Sequence, residues 1–194
     1  MEPNISEYAL EVLRNLEDKI YSKPHRYYHG IAHIKELLYE LSGVEGIVEN
    51  ATALIYAIWF HDAAYDTTKP DIDNVRESAE GAKEFAYLCA HGTAFAEVLE
   101  NLVLVTSHSP LYPPKTNDEK LICDLDLTPL AAENFDERTE QIRKEYSHVP
   151  DEIFYPERKK VLKKFLDREH IYYTDHFRQK YEAKAKENLR KATA

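Results

Sequence analysis

The run Ala53-Leu54-Ile55-Tyr56-Ala57-Ile58-Trp59-Phe60 is apolar at every position and ends in His61-Asp62. A helix that is apolar all round has to be covered on every side, so the surrounding chain has to supply elements that pack against it. Those surroundings read as helices. Tyr8, Val12, Leu16 and Ile20 recur every fourth residue, and Pro24 interrupts them. Ile31, Ile34, Leu37, Leu38 and Leu41 form a second stripe that stops at Gly43. Ile47, Val48, Ala51, Leu54, Ile55 and Ile58 make the third and central helix. Ala64 to Asp73, with Pro70, reads as a loop. Val75, Ala79, Ala82, Phe85, Ala86 and Cys89 mark a fourth helix, and Phe95, Val98, Leu99, Leu102 and Val103 a fifth.

A loop from His108 to Pro114 follows, then a short helix with Asn117 as N-cap that runs to Asp126 and is ended by Thr128-Pro129. Phe135 to Tyr146 reads as helix, and Pro150 and Pro156 bracket a break. Val161, Leu162, Phe165 and Leu166 open a penultimate helix, and Phe177 to Leu189 form a polar last one. The expectation is a single all-α domain over 1–194. Its metal-site core would span about 25–130, with C-terminal helices at about 133–190 packed on it.

The chain has 194 residues and a formal net charge of −10. Such a field repels nucleic-acid polymers and anionic membranes. No stretch reaches the roughly 18 apolar residues that span a bilayer, and no basic-then-apolar leader opens the chain. Cys89 and Cys123 lack a CxxC partner and read as buried thiols. The expectation is a cytoplasmic protein, monomer or homodimer.

Neighbours on a helix point roughly 100° apart, so adjacent ligands share an ion only where the backbone turns. His61-Asp62, at the end of the apolar run, suits such a turn. His29 and His33 are four apart at the start of the second helix, a spacing that puts two imidazoles on one face. Asp124 and Asp126 close the apolar segment Leu121-Ile122-Cys123. His33, His61-Asp62 and Asp126 in order offer two imidazoles, two carboxylates and no thiolate. That set suits Mn²⁺, Fe²⁺, Co²⁺, Ni²⁺ or Mg²⁺ better than a structural zinc.

The order His…His-Asp…Asp resembles that of the HD superfamily of metal-dependent phosphohydrolases, and within it a subgroup of unassigned substrate. The matching segments are His25-Arg26-Tyr27-Tyr28-His29-Gly30 with His33-Ile34, Trp59-Phe60-His61-Asp62 with Tyr65-Asp66, Asp73-Asn74 with Ser78-Ala79, and Thr106-Ser107-His108. They continue through Asp124-Leu125-Asp126-Leu127, Arg158 with Val161-Leu162, Ile171-Tyr172 and Asn188-Leu189. The resemblance implies His33, His61, Asp62 and Asp126 as ligands of a divalent ion, with His33 favoured over His29 and Asp126 over Asp124. His29, Asp73, Glu77 and Asp124 would then lie around the ligands or the substrate. Asp62 and Asp66 would handle the proton, and Arg26 and His108 would meet the phosphate. The implied activity is hydrolysis of a small phosphate mono- or diester, nucleotides included, by a metal-activated water. A rival is a metal- or nucleotide-binding sensor module without chemistry; a di-iron oxygenase ranks last for want of ligands. One departure stands out: Val75 occupies a position where the subgroup often has Glu.

Overall fold

A computed structural model describes residues 6–194. Among them every regular element is helical, and no helix is long and apolar enough to cross a membrane. The helices are α1 (Glu7–Leu16), α2 (Ile31–Ser42), α3 (Ala51–Phe60), α4 (Asp71–Leu88), α5 (Thr93–Leu104), α6 (Asn117–Asp126), α7 (Phe135–Glu145), α8 (Asp151–Leu166) and α9 (Asp175–Thr193). The all-α class expected from periodicity is what the chain adopts. Its contacts group into two compact units, 1–123 and 124–194, and each is described by itself.

In the first unit α3 is the hub. It packs on α2, α4 and α5, and α4 packs on α5. Ala53, Leu54, Tyr56, Ala57, Ile58 and Phe60 are all buried, as an all-apolar helix requires. Phe85 of α4 holds it through ring contacts to Tyr56 and Phe60, both with centroids 4.9 Å apart. Asn50 caps α3 by accepting the Ala53 amide, and the buried Asp118 carboxylate takes the amides of Glu49 and Asn50 just before it. Two expectations fail here. Ile47 is exposed on a 3-10 turn outside α3. The buried stripe of α1 is Ala9 and Leu13, while Tyr8 faces outward. A π turn over Glu17–Tyr21 shifts the register, so Tyr21 rather than Ile20 is fully buried.

Helix α6 begins with a capping box that the sequence displays at Thr116-Asn117-Asp118-Glu119. Thr116 Oγ1 accepts the Glu119 amide and Glu119 Oε2 accepts the Thr116 amide. Thr116 therefore caps this helix, not Asn117, whose side chain bonds the Ile47 carbonyl.

In the second unit α8 packs on α9, and both α7 and α9 meet the 3-10 turn Thr128–Ala131. The helix break expected between Pro150 and Pro156 is absent: α8 runs straight through Pro156. An interior proline costs about 3 kcal/mol, and burial of Phe154 and Leu162 on the packed face offsets it. Arg143 fastens the α7–α8 turn by donating to the carbonyls of Tyr146 and Val149 and pairing with Asp151.

Candidate metal centre

The end of α3 is built carbonyl by carbonyl. The last carbonyls of a helix have no partner within it, and here each one is used. The His61 amide takes Ala57 O, His61 Nδ1 takes Ile58 O at 2.8 Å, and the Tyr21 hydroxyl donates to Trp59 O at 2.8 Å. The Ala63 amide takes Phe60 O. Arg26 then donates to Asp62 O at 2.5 Å and Ala63 O at 2.9 Å. The chain turns here, which brings neighbours His61 and Asp62 to bear on one point.

That point is shared with His33, in the first turn of α2. His61 Nε2 lies 3.3 Å from His33 Nε2 and 3.1 Å from Asp62 Oδ2, and His33 Nε2 lies 3.9 Å from Asp62 Oδ2. They form the one group of three or more His, Cys, Asp or Glu side chains, among the described residues, whose potential ligand atoms all lie within 4.8 Å of one another. Both imidazoles are buried, and the carboxylate is 17% exposed. Bond lengths of about 2.1 Å put ligand atoms roughly 3.0 Å apart at right angles and 3.4 Å apart in a tetrahedron. Two of the three separations fall in that range and the His33–Asp62 one is wider, so the three atoms could hold one divalent ion. The chemistry agrees. A proton on His61 Nδ1 held by Ile58 O leaves the Nε2 lone pair for a cation, and the C-terminal end of α3 carries the negative pole of its dipole. All the net negative charge belongs to the first unit, with 20 acidic and 10 basic residues against 15 and 15 in the second.

The other expected residues fall elsewhere. His29 is not on α2 at all, because Gly30 caps that helix. Its ring stacks on Tyr65 with centroids 3.9 Å apart and stands 6.5 Å from the His33 ring. The shared helical face expected of His29 and His33 therefore does not form. Tyr28 stacks on the His33 ring instead. Arg26, expected on a phosphate, spends its fork on the carbonyls of His29, Asp62 and Ala63. Asp66 Oδ1 accepts the amide and hydroxyl of Thr68, the turn-forming use of an aspartate. Asp73 and Glu77 lie on the exposed side of α4, paired with Arg76 and Lys69. His108 ends the 3-10 turn after α5 in a left-handed conformation (φ 49°), outside the three-ligand group.

Two expected residues belong to the second unit. Asp124 is fully buried, and its carboxylate accepts the amides of Tyr173 and Thr174 and the Thr174 hydroxyl. It anchors the start of α9. Burial pushes its carboxyl up, against the pull of those hydrogen bonds and of Arg178. Asp126 is the half-buried last residue of α6.

Three positioning residues carry no expected role. Tyr21 is one. Asn74 and Ser78, one helical turn apart on the buried face of α4, are the others. The Asn74 amide grips both main-chain groups of Asp66 at 3.0 Å, and Ser78 Oγ bonds both those of Ala64. Together they pin the loop that follows His61-Asp62. The visible signal was two polar residues in register with the apolar stripe Val75, Ala79 and Ala82. Val75 itself is buried in that stripe. No protein-family model, curated protein or solved structure matches the chain.

Proposed function

We propose that His33, His61 and Asp62 hold a divalent cation and that the protein is a metal-dependent phosphohydrolase acting on a small phosphate mono- or diester. The observation that carries the metal is the convergence of two imidazole nitrogens and a carboxylate oxygen at one helix end, with the His61 proton held on its far nitrogen. A bound divalent ion would polarise the phosphoryl group and acidify a coordinated water. The chain's part is to fix that ion, to keep its imidazoles dry, and to leave Asp62 open on one side as the proton acceptor. The strongly negative first unit opposes an anionic ester, so the ester is expected to bind only after the metal.

A second reading is a metal-dependent binding module without chemistry. It draws on the use of Arg26 and Asp66 Oδ1 in holding backbone and turn, which leaves the phosphate and the water with fewer dedicated partners. The two readings separate in one assay. The metal-free protein is loaded with Mn²⁺, Co²⁺, Ni²⁺ or Mg²⁺ and offered a panel of phosphate esters and nucleotides. Turnover that disappears in Asp62→Ala and His61→Ala, with helicity retained, supports the hydrolase. Tight nucleotide binding with no turnover supports the module.

A further inference from the structure

We infer that Arg26 is a positioning residue for the His33–His61–Asp62 centre, setting how tightly its ligands hold a divalent ion. The inference rests on the metal reading above. One guanidinium joins the two chain segments that carry all three ligands. Nη1 donates both to His29 O, at 3.2 Å, and to Asp62 O, at 2.5 Å; Nη2 donates to Ala63 O at 2.9 Å. His29 directly precedes the Gly30 cap of α2, the helix that carries His33 in its first turn. Asp62 is itself a ligand, and Ala63 follows it.

The site is shaped for a planar fork. The guanidinium lies over the Tyr21 ring at 5.3 Å and the Tyr65 ring at 5.6 Å. Tyr65 in turn stacks on His29, and the Tyr21 hydroxyl holds the Trp59 carbonyl. An ammonium has neither the plane nor the parallel donors to replace it. The approach is close on the main chain as well: a Cβ at Gly30 would stand 2.7 Å from the Arg26 carbonyl oxygen. Arg26 pairs with no carboxylate among the described residues, so its charge is spent on carbonyl oxygens.

The sign of the effect separates positioning from charge. A cation beside a metal site repels the metal, so removing it should tighten binding if electrostatics dominate. If the clamp dominates, removing it loosens the ligands, and loss of such supporting contacts typically costs 10–100-fold in affinity.

The test is titration of metal-free full-length protein with Co²⁺, followed by its d–d absorption, for wild type, Arg26→Gln and Arg26→Lys. Both variants are expected to bind about 10–100-fold more weakly with altered spectra, although Gln has lost the repelling charge and Lys has kept it. Added methylguanidinium should restore affinity in Arg26→Ala. Wild-type affinity in both variants, or tighter binding in Arg26→Gln, overturns the inference. A metal-free readout keeps it separate from the reading it rests on. The His61 imidazole ¹⁵N resonances and the Ala63 amide exchange rate should change in Arg26→Lys, and unchanged values overturn the clamp. If wild type takes up no Co²⁺, the metal reading fails, and the clamp is judged on these resonances.

Discussion

Asn74→Ala probes the loop that shapes the centre from a residue that touches no ligand. In the wild type one side-chain amide closes two bonds on Asp66, accepting its N–H and donating to its C=O, both at 3.0 Å. Asn74 is buried, so no water stands ready to take its place. Each such bond is worth about 0.5–1.5 kcal/mol net, and more when a main-chain group is left unmet. The sum is a loss of about 2 kcal/mol. For a chain of this size that lowers Tm by roughly 4–8 °C. Asn74→Asp should recover little, because an acidic oxygen would oppose the Asp66 carbonyl. Urea unfolding should show a lower midpoint with an unchanged m-value, and the Asp66 amide should exchange faster. Glu77→Ala, on the exposed side of the same helix, is the control and should stay within about 0.5 kcal/mol. An Asn74→Ala protein as stable as that control, with a protected Asp66 amide, would refute the pinning role.

Gly30→Ala places a methyl 2.7 Å from Arg26 O and 3.2 Å from Tyr21 O. It should cost about 1–3 kcal/mol by overpacking, read in the same urea experiment. In the second unit, burial alone would raise the Glu182 carboxyl, but Lys186 and the amides of Ile171 and Tyr172 outweigh it and hold it below its ordinary value. A carboxyl lowered on folding stabilises above its unfolded pKa of about 4.3 and loses that contribution as pH falls through the lowered value. The stability gap between wild type and Glu182→Gln should therefore narrow as pH drops from about 6 toward 3; a gap independent of pH would contradict this.

Much of the fold is legible because apolar spacing carries it. The stripe of α2, the all-apolar α3 and the 3.6-residue pattern of α4 appear where the letters place them. What periodicity misses is local. A π turn at Glu17–Tyr21 re-aims α1, and packing carries α8 through Pro156. At the site, three members of the expected set of His33, His61, Asp62 and Asp126 come together, namely His33, His61 and Asp62. Arg26, Asp66 and Asp124 carry the residue types of a reaction centre, and each of them bonds backbone groups here. Sequence alone does not distinguish an arginine that meets a phosphate from one that meets three carbonyls, since both need the same fork. The distinction lies in whether the backbone turns under it, and that depends on Gly30, Asn74 and Ser78.

The most direct test of the metal centre is equilibrium binding of Co²⁺ to the metal-free protein, followed by absorption, in wild type, His33→Ala, His61→Ala and Asp62→Ala. One equivalent is expected to bind the wild type with a ligand-field spectrum. Each variant should lose that spectrum, with its helical circular dichroism preserved. Binding with the same stoichiometry, affinity and spectrum in the three variants, or none in the wild type, would contradict the assignment.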